Sequence, residues 1–253
     1  MLGAFLKLSF RAQAQYPASF ALLCLSHFVS TALDMAGIWI LFDRFALIDG
    51  WTLPELALVY GIIHMGFAIA EGFARGFDLF GHMVKTGDFD RVLLRPLSPL
   101  FQIAVQDLQF MRLGRFLQGL AVLLWGAITL SLPLWAAPFI LLSIGGTLCL
   151  FYGIFVIQGA LSFWTTESLE VMNIATYGGV QAGQYPLSIY PRPFRLALLP
   201  LACVGYYPIA TLLQQESLPL WIAALAPLAG LAVLLFSFLF WEVGVRHYRS
   251  SGS

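Results

Sequence analysis

The sequence predicts an all-α, polytopic membrane protein with six transmembrane helices. Of its 253 residues, 60% are hydrophobic and only 10% are charged, whereas soluble domains carry roughly 25% charged residues. A chain with so few charges cannot cover its surface with solvated side chains, so most of that surface must face lipid. The spacing of the apolar stretches and the distribution of lysine and arginine then give the number of crossings.

The apolar stretches have the length that a helix needs to cross a bilayer. A hydrocarbon core of about 30 Å requires roughly 20 apolar residues in a helix. The predicted spans are 17–42, 55–75, 113–132, 138–164, 168–190 and 218–243. The longest hydrophilic stretch, the loop 76–112, is too short for an independent domain. We therefore expect residues 1–253 to form one membrane domain.

The opening segment, 2–15, differs from the spans. Its apolar residues recur at helical spacing, while Lys7 and Arg11 lie on another face. This pattern is typical of a short helix that lies in the plane of the membrane interface.

Basic residues cluster in three regions, and cytoplasmic loops are the ones that collect lysine and arginine. The clusters precede the first span, follow the second and follow the last: Lys7 and Arg11; Lys85, Arg91, Arg95, Arg112 and Arg115; Arg246 and Arg249. All three regions are therefore predicted to be cytoplasmic. Both termini then lie on the same side, and the number of crossings is even.

Two neighbouring apolar segments, 168–190 and 194–213, compete for the fifth crossing. Parity allows only one of them to cross, and 194–213 is broken by Pro200 and Pro208. Since non-helical backbone at membrane depth survives only where protein buries it, we predict that 194–213 is re-entrant from the outer face. In the alternative, 168–190 lies along the cytoplasmic surface and 194–213 crosses. The charge rule slightly favours that alternative, because it keeps Arg192 and Arg195 inside.

The loop 76–112 contains the most distinctive run of the sequence, Gly87-Asp88-Phe89-Asp90-Arg91-Val92-Leu93-Leu94-Arg95-Pro96-Leu97-Ser98-Pro99. Asp88 is expected to cap a helix that Pro96 and Pro99 end after about two turns. The helix would be amphipathic, with Phe89, Val92, Leu93 and Leu97 beside Asp90, Arg91 and Arg95. Residue chemistry alone leaves two interpretations open: arginines at lipid headgroups, or an element that docks a soluble partner.

This run resembles the first cytoplasmic loop of the ABC-2-type permeases, in the branch with the signature Gly-Asp/Glu-Phe-Asp…Leu-Leu-Arg-Pro-Leu-x-Pro. Three further segments are similar to that branch: Tyr-Pro-Leu-Ser-Ile-Tyr-Pro at 185–191, Tyr-Tyr-Pro-Ile-Ala at 206–210, and the ending from Trp241 to Ser250. The resemblance thus runs through most of the chain. It implies six spans, a coupling helix after the second span and a re-entrant hairpin before the last.

The resemblance also implies a function and partners. The chain would be the membrane-spanning permease subunit of an ABC exporter in a bacterial cytoplasmic membrane, working by alternating access. It would pair with ATPase subunits, which carry ATP and Mg, and with a second permease chain, identical or related. The residues implied in coupling to the ATPase are Gly87, Asp88, Phe89, Asp90, Arg91, Leu93, Arg95 and Pro96.

The chain itself is expected to bind no cofactor and to have no catalytic residue. Lys85-Thr86 lacks the upstream glycines of a phosphate-binding loop, and no His/Cys cluster predicts a metal site. Lysine plus arginine equals aspartate plus glutamate at 13 each, so no basic bias points to nucleic acid.

Four ionisable residues fall inside the first two spans: His27, Asp34, His64 and Glu71. Within each span the two residues are seven apart and share a helix face. If the spans are antiparallel neighbours, Asp34 lies level with His64 and His27 with Glu71, which gives two carboxylate–imidazole pairs. Such groups act either as interhelical contacts or along a substrate path.

Two other functional classes use a buried His/carboxylate set: proton-coupled secondary transporters and intramembrane enzymes. The first would be favoured by inverted repeats, and the sequence has none that we detect. The second needs a nucleophile at motif spacing, which neither His27 nor His64 has. The residues alone predict neither the substrate nor the direction of transport.

Overall fold

The computed structural model describes residues 2–165, 168–216 and 218–249, and over these residues the protein is all-α, with a single isolated β-bridge between Ile48 and Trp51. The α-helices are α1 (Leu2–Ala14), α2 (Pro17–Arg44), α3 (Leu53–Thr86), α4 (Phe89–Leu93), α5 (Pro99–Ala104), α6 (Leu113–Thr129), α7 (Ala137–Leu161), α8 (Ser168–Gly183), α9 (Arg192–Ala197), α10 (Leu199–Leu201), α11 (Tyr207–Leu212), α12 (Leu220–Leu225) and α13 (Leu228–His247). Short 3₁₀ helices occur at Phe110–Arg112, Leu134–Ala136 and Leu187–Ile189, and a π-helical turn joins α10 to α11. The all-α prediction is confirmed.

Four helical stretches are long and apolar enough to cross a membrane: Pro17–Arg44, Leu53–Thr86, Leu134–Leu161 and Leu220–His247. They coincide with four of the six predicted spans. The predicted span 113–132 forms the 17-residue helix α6, and 168–190 forms the 16-residue helix α8, which ends at Gly183. The α-helix thus ends seven residues before the end of the predicted span, and Leu187–Ile189 in the remainder form a 3₁₀ helix.

Helix α3 is the centre of the bundle and is buried along most of its length. It packs against α6 on one side and α7 on the other, and α13 packs on α7. Glycines make the close approaches possible: a β-carbon at Gly66 would lie 2.5 Å from Cβ of Thr147, and one at Gly61 would lie 2.5 Å from Cβ of Leu123. Helix α2 packs mainly on α6, so α6 separates much of α2 from α3.

Helix α3 continues to Thr86, so the prediction of a loop from residue 76 is wrong. The 11 extra residues, 76–86, add about 16 Å of helix at 1.5 Å per residue. The charged residues Arg75 and Asp78 are accommodated inside the helix. Arg75 forms an ion pair with Asp78 one turn later, and Gln158 of α7 donates a hydrogen bond to Asp78 at 2.6 Å. The helix ends at Gly87, whose φ of 75° is left-handed.

After the end of α8 the chain turns away and comes back, so that α10 lies beside the end of α8. Gly183, at the end of α8, lies against Leu201 of α10, whose Cδ2 would be 2.6 Å from a β-carbon at Gly183. The stretch Leu199–Leu212 is broken into two short helices and a π turn. Pro200 and Pro208 stand in the first turns of α10 and α11, so the proline break predicted here is present.

Contacts distinguish the two ends of the bundle. At the α4 end, Gln13 of α1 accepts a hydrogen bond from Phe110 N at 3.1 Å, and the Tyr248 hydroxyl donates to Asp90 at 3.0 Å. At the opposite end, the Gln215 amide donates to Glu55, in the first turn of α3, at 3.1 Å. Both ends of the described chain therefore lie at the α4 end.

Candidate functional site

A buried ionic cluster centres on Glu71 of α3, whose side chain is 0% exposed. One carboxylate oxygen, Oε1, lies 3.1 Å from Nη2 of Arg112 and accepts a 2.7 Å hydrogen bond from the hydroxyl of Tyr177. The other, Oε2, lies 3.1 Å from Nη1 of Arg115. Charge-assisted contacts on both oxygens offset the cost of burying the carboxylate.

The cluster ties four helices together. Arg112 and Arg115 stand at the start of α6, three residues apart and thus on one face. Arg115 lies over the ring of Phe67 in α3, 5.0 Å from its centroid, which is cation–π geometry. Arg112 Nη1 lies 3.4 Å from Nδ1 of His27 in α2, and Tyr177 adds α8.

The predicted carboxylate–imidazole pairs are wrong as direct contacts. Glu71 is bound by the two arginines and Tyr177, and His27 lies against Arg112 instead. The reason is the position of α6, which packs on both α2 and α3 and brings its arginines to the carboxylate. A guanidinium is always charged and offers several donors, so it matches a buried carboxylate better than an imidazole does.

Asp34 and His64 are joined through two glutamines instead of touching. Nε2 of His64 lies 3.3 Å from Oε1 of Gln184, and the amide of Gln184 donates to Oε1 of Gln181 at 2.7 Å. The side chain of Gln181 also lies close to the Asp34 carboxylate. A polar chain thus runs from α3 through the end of α8 to α2.

His64 is the buried end of that chain. It is 1% exposed, and its ring stacks on Tyr60 with the centroids 4.0 Å apart. Its Nδ1 has no hydrogen-bond partner among the residues that the structure describes. Asp34, at the other end, is half-buried.

Helix α4 is anchored to the bundle by Phe89, which is 0% exposed. The ring centroids of Phe80, Phe163 and Tyr248 lie 5.0, 5.5 and 5.0 Å from that of Phe89. These rings come from α3, from the chain just after α7 and from the residue after α13. The aromatic cluster therefore joins α4 to the ends of three long helices.

Tyr248 also holds α4 through its hydrogen bond to Asp90. Burial, and then the hydrogen bond to Asp90, raise the pKa of the Tyr248 hydroxyl, so it remains a donor at neutral pH. The predicted cap by Asp88 is wrong: Asp88 precedes α4, but its side chain makes no capping bond and accepts from Thr86 at 2.7 Å.

The free face of α4 and the turn after it combine apolar and basic groups. Leu94 is 86% exposed and Leu93 42% exposed, and Arg91 and Arg95 are exposed beside them. Phe89 and Val92 face inward as expected, but Leu93 does not. Helix α4 ends before Pro96 as predicted, but it has five residues instead of about two turns, and Pro99, which was predicted only to stop a helix, begins α5. We call Arg91, Leu93, Leu94 and Arg95 the α4 tip.

Sequence reasoning missed five polar residues of these networks: Arg112 and Arg115 as partners of Glu71, and Tyr177, Gln181 and Gln184. A signal for the last three exists, because they recur at i, i+4 and i+7 in an apolar stretch and so share one helix face. The two arginines were assigned to the loop because basic residues at the end of a span usually lie at the interface.

A model of a protein family, described as "ABC-2 family transporter protein", matches residues 28–252. The match begins one residue after His27 and includes Glu71 with its partners Arg112, Arg115 and Tyr177, the polar chain and the α4 tip. Comparisons with curated proteins and with solved structures give no match.

Proposed function

Because the chain belongs to the ABC-2 family of transporter proteins, we propose that it is the membrane-spanning permease subunit of an ABC exporter. It moves a substrate across the membrane by alternating access, and separate ATPase subunits supply the energy. The observation that carries the proposal is the α4 tip, which presents exposed leucines between two arginines on a helix anchored in the bundle.

The α4 tip has the features of a docking surface. An apolar patch with a charged rim is typical of a protein interaction site, and Leu94 has no packing role that would explain an apolar residue there. The inward side of the same helix is fixed among Phe80, Phe163 and Tyr248. Movement of a bound ATPase is therefore passed to the ends of α3, α7 and α13.

The direction in which each helix runs supports six crossings. Helices α6 and α8 are antiparallel to α3. In α6, Leu123 lies beside Gly61 and Arg115 beside Glu71. In α8, Gln184 lies beside His64 and Tyr177 beside Glu71. Helices α7 and α13 run parallel to α3. The helices thus alternate in direction along the chain, with α2 running away from the α4 end.

The fifth crossing combines α8 with part of the following segment. Helix α8 has 16 residues, about 24 Å at 1.5 Å per residue, which is short of a core of about 30 Å. The chain from Leu201 to Gln215 then continues to the end of the bundle that holds Glu55. This supports the interpretation of 194–213 as a re-entrant segment on the outer side.

The orientation and the partners follow from the same proposal. Both termini and the α4 tip face the cytoplasm of a bacterial cell, the chain is a single membrane domain over 1–253, and ATP and Mg bind to the ATPase. A second permease chain, identical or related, completes the transporter.

A proton-coupled secondary transporter is less well supported. Amide groups of Gln181 and Gln184 separate Asp34 from His64, and Glu71 is held by two guanidiniums. Neither carboxylate is therefore in direct contact with an imidazole that could exchange a proton with it.

Co-purification tests the proposal. The tagged chain is expressed in its native host and isolated in mild detergent, and we expect an ABC ATPase to accompany it. Leu94→Asp places a charge on the α4 tip and should remove the ATPase. Leu134→Asp, at a residue that is 93% exposed at the far end of the bundle, is the matched control and should retain it. Equal ATPase recovery with both variants would refute docking at the α4 tip.

A further inference from the structure

A cavity of about 590 Å³ opens on the side of the bundle, between α2 and α6. Phe28 and Trp39 stand on the α2 wall, and Gln118 and Trp125 stand on the α6 wall. Leu53, at the start of α3, adds a third side. A cavity of this volume is large enough to hold a small organic molecule. We call it the α2–α6 groove.

The aromatic side chains of the α2–α6 groove are not used up in the core. Trp39 is 63% exposed, Trp125 45% and Phe28 37%. The two walls therefore offer apolar ring faces that are accessible from outside the chain. Such faces stack well against an aromatic ligand.

Gln118 brings a polar group into this apolar groove. It lines the cavity, yet the residue as a whole is only 3% exposed. It contacts the hydroxyl of Tyr60, which donates to the carbonyl oxygen of Thr31. Thr31 lies near the middle of α2, a helix of 28 residues that is long and apolar enough to cross the bilayer. The Gln118 amide thus lies near the middle of the membrane.

The amide of Gln118 is satisfied at one end only. Its Oε1 lies 3.3 Å from the hydroxyl of Tyr60. The other end, Nε2, has no hydrogen-bond partner among the residues that the structure describes, and it is not sealed off by protein as the unpartnered Nδ1 of His64 is. The free end therefore opens onto the groove. An unpaired amide at membrane depth is unfavourable.

A hydroxyl is the group that matches this free end best. The hydroxyl of Tyr60 has one hydrogen, and the shorter contact, 2.7 Å to the Thr31 carbonyl, takes it. The Gln118 amide can turn by half a rotation about its last bond, which exchanges its oxygen and its nitrogen. Its free end is a donor in one orientation and an acceptor in the other. A ligand hydroxyl both donates and accepts, so it pairs with either orientation.

Charge and depth narrow the occupant further. Among the described residues that line the groove, none is charged, so an ionic ligand would find no counter-charge there. The acyl chain of a membrane lipid fits the apolar walls, but it carries no polar atom near the middle of the bilayer. It would leave the amide of Gln118 unpaired.

We propose that the α2–α6 groove is a binding site for neutral aromatic molecules that carry a hydroxyl group. The hydroxyl pairs with the free end of Gln118, and the rings stack on Trp39 and Trp125. The ligand enters from the lipid, because the groove opens on the side of the bundle. The inference goes beyond the proposed function and does not depend on it, since this chain alone forms the groove.

Two probes of nearly equal size and shape test the proposal: 1-hydroxypyrene and 1-methylpyrene. The purified chain is placed in phosphatidylcholine nanodiscs, and energy transfer from tryptophan to pyrene is measured at equal mole fractions of each probe in the lipid. We expect saturable binding of 1-hydroxypyrene at a mole fraction at least about fivefold lower than that of 1-methylpyrene. One hydrogen bond to a buried amide in a membrane protein is worth a factor of that order.

Two pairs of variants separate the hydrogen bond from the shape of the groove. Gln118→Leu removes the amide and should abolish the preference for the hydroxyl probe, whereas Gln106→Leu, at an exposed glutamine outside the groove, should keep it. Ala36 lines the groove, so Ala36→Phe should fill it and weaken the binding of both probes about tenfold or more. Ala21→Phe, at an exposed position of the same helix, should change neither.

Three results overturn the proposal. The first is equal half-saturation of the two probes in the wild-type chain. The second is a preference that survives Gln118→Leu, or, if that variant does not fold, binding that Ala36→Phe leaves unaltered. The third is the lack of saturable binding of 1-hydroxypyrene, which is the result expected if lipid chains or a second copy of the chain fill the groove. None of these results bears on whether an ATPase accompanies the chain.

Discussion

The guanidinium of Arg115 and the carboxylate of Glu71 lie 3.1 Å apart inside the bundle, where the carboxylate is 0% exposed. Arg115 belongs to α6 and Glu71 to α3, so this ion pair joins two antiparallel helices across the centre of the fold. Arg112 and Tyr177 complete the coordination of the same carboxylate.

The first prediction concerns this ion pair. Glu71→Gln leaves two buried guanidiniums without a counter-charge, and breaking a buried pair in this way costs about 3–5 kcal/mol. Arg91→Gln breaks the exposed pair between Arg91 and Asp88, whose atoms lie 3.4 Å apart, and should cost less than about 1 kcal/mol. Unfolding by sodium dodecyl sulfate from detergent micelles measures both. Similar losses of unfolding free energy in the two variants would contradict a buried ion pair at Glu71.

The second prediction uses two helical glycines. A β-carbon at Gly76 would overlap the carbonyl group of Ile103, whereas one at Gly145 would meet nothing within 4 Å. Gly76→Ala should therefore shift α3 away from α5 and lower thermal stability. Gly145→Ala should be neutral or stabilising by up to about 1 kcal/mol, because alanine favours the helix. The melting temperatures in detergent are compared, and a more stable Gly76→Ala protein would be inconsistent with the close packing.

The third prediction concerns the anchoring of α4. Phe89→Ala removes a fully buried ring, a change that typically costs about 3–5 kcal/mol, so amide hydrogen exchange in residues 88–95 should accelerate. Leu94→Ala changes a side chain that is 86% exposed and should leave that exchange unaltered. If Phe89→Ala exchanges no faster than wild type, α4 is not held by the aromatic cluster.

The fourth prediction tests the orientation. With Cys24, Cys149 and Cys203 replaced, a cysteine at position 192 should react with an impermeant thiol reagent in intact cells. A cysteine at position 94 should react only after permeabilisation. Labelling of position 192 only after permeabilisation would instead favour the alternative in which 194–213 crosses the membrane.

The sequence predicts the helices well because composition and length largely determine which segments cross a bilayer. The same holds for α4, since Pro96 and Pro99 cannot continue a helix. The end of α3 is harder to predict. Arg75 and Asp78 are typical of a loop, but their mutual ion pair and the hydrogen bond from Gln158 keep them inside a helix.

The partners of the buried charges are not predictable from spacing within two spans. Matching Asp34 with His64 and His27 with Glu71 assumed that consecutive helices pack on each other. Helix α6 packs on both instead, and its arginines come from a region that the charge rule assigns to the interface. Which helix lies between two others is a property of tertiary packing, so it becomes visible only in the structure.

The most direct test of the account is the ATP turnover of two preparations in liposomes: the chain alone, and the chain with its co-purified ATPase. The account predicts no turnover by the chain alone and robust turnover by the complex. It also predicts that Arg95→Ala combined with Pro96→Ala, at the α4 tip and its proline, greatly lowers the turnover or uncouples it from substrate. Robust ATP hydrolysis by the purified chain alone would contradict the central claim.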